Sequence, residues 1–300
     1  MAQGWELSTR PTDFSLGALA ALKRAARLPL TPDARIAILH VVPGDLPGTL
    51  RRRVEVFAGH RLERAVRLCA ELAEAAGYSR IPVKGVLARG RAFVEIVQEA
   101  RRRRPELVVL GRHGQRRLRD LLIGTTAERV VRKCEAPVLL VNLEPRTAYR
   151  RPLLAIDLEA GSRQVCTVAA RLIPPDLPAV YVVHAYEVPF AGWIALGERD
   201  GERSRYRRQA RQQAQQDLER FLAGAEELGL PVRGRLRYGD PRLVVLEEAR
   251  RRRADLVAVG THGRAGLARA LLGSVAETVI GQASCDVLVV PTPGVRFSPP

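Results

Sequence analysis

The sequence predicts an α/β protein of two tandem domains, each an open five-stranded parallel sheet sandwiched by helices. Three observations predict it. The chain repeats itself: GRHGQRRLRDLLIGTTAERVV starts at Gly111 and GTHGRAGLARALLGSVAETVI at Gly260. Both read Gly, two residues, Gly, nine residues, Gly, then Ser or Thr, and such self-similarity implies two copies of one unit. Apolar runs alternate with helical patterns along each copy, the signature of crossover-connected parallel strands. The runs are apolar on both faces, as strands covered on two sides must be. A chain of 300 residues suits two domains of roughly 150 residues each, here 1–145 and 150–294.

The elements follow in order. In the first copy STRPTDF is the first strand and TDFS (12–15) leads a helix. RIAILHVVP (35–43) is the second strand and a helix spans 51–76. IPVKGVL (81–87) precedes Gly90 and a helix through Arg103. ELVVLG (106–111) enters the glycine loop, and PVLLVN (137–142) closes the unit. In the second copy PLLAIDL (152–158) is a buried strand, with a helix over 160–173. AVYVVHAYEV (179–188) is followed by a long polar helix, 203–228. VRGRLRYG is the third strand, and Gly239-Asp240-Pro241 opens a helix through Arg252. DLVAVG (255–260), a helix over 274–283 and DVLVVP (286–291) complete it. Asp13 and His40 match Asp157 and His184 at one offset, whereas Gly90 matches Gly239 at an offset five residues longer. Five inserted residues are therefore expected in the loop around FAGWIALGERDG, where insertion costs least. A short proline-bearing linker, 143–151, keeps the halves together. An intramolecular pseudo-dimer is expected, with PVLLVN and DVLVVP able to pair between halves or between chains.

Composition narrows the function. Aromatic residues are 5% of the chain, so the core must be aliphatic. No apolar run reaches the roughly 18 residues of a membrane span, and MAQGWELSTR lacks the pattern of a signal peptide. Cys69, Cys134, Cys166 and Cys285 form no paired spacing and read as reduced thiols. A cytoplasmic protein is expected. The net charge is +17, and of 49 basic residues all but Lys23, Lys84 and Lys133 are arginine. The runs 51–53, 101–104 and 250–253 read as solvated helix ends, the last two suiting the negative end of a helix dipole. No aromatic residues interleave these runs as a base-stacking surface requires. Nucleic acid is expected to bind only non-specifically.

Each glycine loop follows the C-terminal end of a buried strand, where parallel sheets place their ligands. Gly111, Gly114 and Gly124, with Gly260, Gly263 and Gly273, can give positive φ and close approach to an anion. Thr125, Thr126, Ser274 and Val275 open a helix, whose free N–H groups favour phosphate. No Lys follows the last glycine, so this is not a Walker A loop. Thr125-x-x-Glu128 and Ser274-x-x-Glu277 also match the capping box, so the hydroxyls could be caps alone. The identical glycine spacing in both copies favours an anion site. His113 and His262 lie inside the loops, where an imidazole could contact the phosphate of a bound nucleotide or pack against the loop. No nucleophile is paired with either, and no catalytic or metal-ligating residue is assigned.

With these motifs both halves resemble the nucleotide-binding kind of universal stress protein domain, over roughly residues 5–143 and 151–292. That resemblance implies a Rossmann-like, adenine nucleotide alpha hydrolase-like fold and a stress-response sensor or regulator that binds ATP, with Mg²⁺, and hydrolyses it slowly or not at all. It implies that Asp13 and Asp157 accept from the adenine amino group. It maps backbone contacts to Val41 and Ala185, and phosphate and ribose contacts to the loop glycines with Thr125 and Ser274. A few charge-assisted hydrogen bonds of ~1.5–3 kcal/mol each, less ~4–15 kcal/mol for association, correspond to roughly micromolar affinity. Pro11 removes a ladder donor, so the first strand is expected to be irregular and the second site the tighter. Two other functions are kept: a slow ATPase or nucleotidyl-transfer enzyme of the same fold, and a basic module binding nucleic acid or an unnamed protein partner.

Overall fold

The computed structural model describes residues 5–78, 81–112, 124–142, 144–187, 200–226, 229–261 and 272–292. The first half comprises β1 (Trp5–Pro11), α1 (Leu16–Ala25), β2 (Leu30–Val42), α2 (Gly48–Ala75), β3 (Val83–Arg89), α3 (Ala92–Arg103), β4 (Leu107–Gly111), α4 (Thr125–Lys133) and β5 (Val138–Val141). The second comprises β6 (Pro152–Ala155), α5 (Ala160–Ala170), β7 (Val180–Tyr186), α6 (Asp200–Glu226), β8 (Val232–Tyr238), α7 (Pro241–Arg251), β9 (Leu256–Gly260), α8 (Ser274–Gln282) and β10 (Asp286–Val290). The five-residue insertion expected near FAGWIALGERDG lies mostly outside the described residues.

All ten strands form one sheet, in the order β3-β2-β1-β4-β5-β10-β9-β6-β7-β8. Within each half every pairing is parallel. The halves meet where β5 and β10 pair antiparallel, Leu139 opposite Leu288. The terminal strands therefore pair within the chain. Alternate residues of a strand point to opposite faces, and β4 shows the consequence. Leu107 and Val109 enter the core under α1, α2, α5 and α6, whereas Val108 and Leu110 enter the core under α3, α4, α7 and α8. Each core runs through both halves. The aliphatic expectation holds: among the largest fully buried side chains only Tyr149 is aromatic.

Boundaries differ from the sequence reading in two informative places. β2 starts at Leu30 rather than Arg35, because β1 pairs with it from Trp5. β1 is irregular as expected, but between Trp5 and Leu7, where its register with β2 shifts, and not at Pro11. The proline is its last residue, where a missing donor costs least, and the ladder continues from Thr12 N–H to the Leu39 carbonyl at 2.8 Å.

The arginine runs are not merely solvated ends. Arg102 and Arg103 fold back onto Glu99, and Arg251 and Arg252 onto Glu248, at spacings of three and four residues. These carboxylates are 3% and 2% exposed. Burial alone would raise their pKa values, but the paired guanidinium groups outweigh it and hold both below the ordinary range. A folded pKa below the unfolded one stabilises the protein above the unfolded value, about 4.3 for Glu. That stability is lost as pH falls through the folded value. Glu99→Gln/Glu248→Gln should therefore flatten the acid limb of stability below about pH 4. Acid titration followed by circular dichroism, with an unchanged limb as the contrary result, checks this.

Candidate functional site

The strand order places the C-terminal ends of β2, β1 and β4 side by side, and likewise those of β7, β6 and β9. In each half the chain winds outward from the first strand and then returns to its other side. That reversal is the switch point at which open α/β sheets hold ligands.

Asp13 and Asp157 sit just past β1 and β6. Each opens a tight turn: Asp13 Oδ1 accepts from Ser15 N–H, and Asp157 Oδ1 from Glu159 N–H, both at 3.0 Å. The intervening Phe14 and Leu158 have φ of 59° and 69°, a left-handed conformation uncommon outside glycine. Ser162 adds a hydroxyl to Asp157 Oδ1 at 2.7 Å, a contact the sequence reading missed. Both turns form with the same backbone hydrogen bond, and Pro11 does not disrupt the first.

The ladders set the neighbouring backbone. Pro11 lies opposite Leu39 and Ala155 opposite Val183. Asp13 and Asp157 follow two residues past these last partners, and Val41 and Ala185 lie two residues further along β2 and β7. Between them lie His40 and His184, whose Nδ1 atoms stand 2.7 Å from the Thr12 carbonyl and 3.0 Å from the Ile156 carbonyl. A carbonyl only accepts, so Nδ1 carries the proton. Burial, the largest influence, lowers the pKa of His40. The histidines clip the two strand ends together. Their recurrence at the aspartates' own offset was the signal for this role.

The glycines act differently from the expectation. None of Gly111, Gly124, Gly260 and Gly273 has positive φ; at the loop-facing strand ends that conformation belongs to Gly90 and Gly239, after β3 and β8. Gly111 is required by close packing. A Cβ there would stand 2.5 Å from the Gly17 carbonyl carbon, in the first turn of α1. Gly124 and Gly273 are the N-caps of α4 and α8. Their N–H groups donate to the Arg112 and Thr261 carbonyls at 2.9 and 2.7 Å, closing each loop at its base. His113, Gly114, His262 and Gly263 lie outside the described residues.

The capping boxes do not form. Thr125 and Ser274 are the first residues of their helices, with Thr126 and Val275 next, and no side chain caps either helix. The glycine carbonyls instead accept from Glu128 and Glu277 N–H, at 3.0 and 2.9 Å. The hydroxyls are therefore not consumed by capping, and the first-turn N–H groups keep their partial positive charge. Arg132 joins the two first turns, reaching Glu128 at 3.1 Å and Glu277 at 2.7 Å.

The thiols are withdrawn from solvent. All four are free and buried, and burial pushes Cys134 up to about 11 and Cys166 and Cys285 to about 12. Among the described residues no helix is long and apolar enough to cross a membrane.

Sheet, switch points and paired helix starts define a doubly wound α/β protein of the Rossmann-like kind, built twice in one chain. Comparison with known proteins makes the assignment specific. The universal stress protein family profile matches residues 10–142 and again 148–291, and the chain belongs to the universal stress protein family. A universal stress protein of Mycolicibacterium smegmatis is 29% identical over 295 residues, 93% of this chain and 94% of that one. Universal stress protein E of Salmonella typhi is 28% identical over 270 residues, 87% of this chain and 79% of that one. The crystal structure of a universal stress protein from Archaeoglobus fulgidus superposes with a TM-score of 0.67 at 19% identity, over 95% of this chain and 98% of that one. That likeness shows the fold.

Proposed function

We propose that this stress-response protein is a nucleotide-responsive regulator that takes ATP at both switch points. One observation carries the reading: the same donor and acceptor set is built twice. A carboxylate (Asp13, Asp157) follows the end of the first strand, the neighbouring strand runs on past it (Val41, Ala185), and the same sheet edge carries an uncapped helix start with a spare hydroxyl (Thr125, Ser274). This set fits an adenylate. The carboxylate accepts from the adenine amino group, the strand backbone meets the ring edge, and the helix start receives phosphate. Asp157 has Oδ2 outside its turn hydrogen bonds, which use Oδ1. Left-handed Phe14 and Leu158 support the reading, since strain kept in both copies points to a functional demand. Magnesium would come on the nucleotide's phosphates, because no cluster of three or more His, Cys, Asp or Glu is gathered among the described residues.

The like geometry of the two turns predicts two nucleotides per chain. Native mass spectrometry of the purified protein with added ATP should show two bound. Asp13→Asn and Asp157→Asn, which keep an oxygen for the turn hydrogen bonds but lose the carboxylate, should each remove one. Phosphate release should stay slower than about 1 per second, the low end of ordinary turnover. A wild-type chain that takes up no ATP, or variants that both keep two, would overturn the proposal.

A further inference from the structure

We infer that the groove between α1 and α2 binds a free single-chain fatty acid, its carboxylate at the arginine end and its chain along the leucines. The groove lies between helices on one face of the first half and does not rest on the assignment of the switch points.

The groove holds about 280 Å³. Its walls are two facing stripes at helical spacing: Leu16, Leu19 and Leu22 from α1, and Arg61, Arg64, Ala65 and Leu68 from α2. No acidic residue lines it. Both helices follow the C-terminal end of a strand, so they run parallel and the groove is polarised. Arg61 lies over the Phe14 ring, just before α1, at 4.5 Å and donates to the Phe14 carbonyl at 3.4 Å. Arg64 is exposed one turn on. Leu22 and Leu68 form the other end, about 10 Å away by the rise of the helix. Among the described residues no carboxylate pairs with Arg61 or Arg64. The apolar wall is open to solvent: Leu16 is 68% exposed, and Leu19, Ala65 and Leu68 are half-buried.

The second half shows that the fold does not require this groove. A Cβ on Gly85 of β3 would meet Leu62 and Val66, and one on its counterpart Gly234 of β8 would meet Leu218 and Leu222. RLERAV (61–66) therefore corresponds to DLERFL (217–222). Phe221, packed against the core, stands in place of Ala65, and Gly224 in place of Leu68. Arg163, in place of Leu19, reaches to 4.0 Å from where a Gly224 Cβ would be. Asp217 stands in place of Arg61 and pairs at 2.7 Å with Arg220, the counterpart of Arg64. One half fills, spans and neutralises the groove. The other leaves it open, apolar and cationic.

That combination selects the ligand. The leucines gain by burying hydrocarbon, and guanidinium groups form charge-assisted hydrogen bonds with a carboxylate. An inorganic anion would leave the leucines wet. A peptide would bring main-chain polar groups that the leucines cannot pair. A second copy of the chain is repelled by its own net charge of +17.

Ligand-observed NMR titration of the full chain with straight-chain carboxylates from hexanoate to decanoate tests this. Affinity should rise about fourfold per added CH₂ until the groove is filled. 1-Octanol should bind at least about tenfold more weakly than octanoate. Arg61→Gln/Arg64→Gln should remove that difference, whereas Arg52→Gln/Arg53→Gln, on exposed positions of α2, should keep it. Ala65→Phe, which copies the second half, should abolish octanoate binding. Arg61→Asp, which copies the second-half ion pair, should weaken octanoate at least about tenfold and keeps the test valid should Ala65→Phe fold poorly. Saturating ATP should leave octanoate in place. Absence of wild-type octanoate binding overturns the proposal, whether or not vesicles of anionic lipid bind. So does affinity that does not grow with chain length, equal binding of 1-octanol, equal loss in the two arginine double variants, unchanged binding in folded Ala65→Phe, or displacement by ATP.

Discussion

Asp286→Ala is expected to destabilise the chain by about 3–5 kcal/mol, the cost of stranding one partner of a buried ion pair. Asp286 starts β10 and is fully buried; Arg24, its partner on α1, is 4% exposed. The carboxylate accepts from Arg24 Nε at 2.9 Å, Tyr149 hydroxyl at 2.7 Å and Asn142 N–H at 2.8 Å. Arg24 also donates to the Thr147 carbonyl at 2.7 Å and lies over the Tyr149 ring at 4.2 Å. Burial, the largest cause, holds the Tyr149 hydroxyl well above its ordinary pKa, so it remains a donor. One carboxylate thus ties together a first-half helix, the end of β5, the linker and a second-half strand. Urea unfolding at neutral pH measures the loss, and a change below about 1 kcal/mol would show that the cluster stabilises no more than a surface pair. Arg24→Met/Asp286→Leu should recover only part of the loss: it removes the stranded charge, but the Tyr149 hydroxyl and Asn142 N–H lose their acceptor, at about 1–3 kcal/mol for each group left buried and unpaired.

Gly111→Ala is expected to cost about 1–3 kcal/mol through overpacking, with Gly111→Val worse. The new Cβ would stand 2.5 and 2.6 Å from the Gly17 carbonyl carbon and oxygen and 2.9 Å from Ala18 N. These are backbone atoms, so no rotamer change relieves the contact and α1 must move off β4. The Asp13 turn immediately precedes α1. The same variant should therefore lose first-half nucleotide while the second half keeps its own. Gly48→Ala is the control, as its Cβ would meet nothing within 4 Å. Thermal unfolding and native mass spectrometry read the two effects. Equal stability of the two variants would refute the packing argument.

Much of the architecture was legible along the chain. Doubly apolar runs such as LVVL (107–110) and LVAV (256–259) can only be covered strands, and the shared spacing of the two glycine motifs marks two units. The residues at the switch points were legible too, though their roles were not. Thr125-x-x-Glu128 has the letters of a capping box, but Gly124, held by the Arg112 carbonyl, takes the cap position. The hydroxyl is thereby displaced into the helix. The loop glycines suggested positive φ, whereas Gly111 answers a helix that is distant in sequence until the sheet forms. The arginine runs carried their own clue, a glutamate three and four residues ahead in both copies. The spacing was visible, but the burial of that glutamate was not.

The contacts between halves left no trace in local pattern. Arg24 and Asp286 are 262 residues apart, and neither position is duplicated: the matching residues are Val168 and Pro137. Arg112 likewise reaches the Gly281 and Ala283 carbonyls at the end of α8, whereas its counterpart is Thr261. Sequence alone determined the two repeated units, their element order and which residues stand at their strand ends, because periodicity and spacing are local properties. Only the tertiary structure decided how the units join and which charges are buried. Those outcomes depend on which distant surfaces lose water together, and an antiparallel seam between β5 and β10 sets them in a way no single segment encodes.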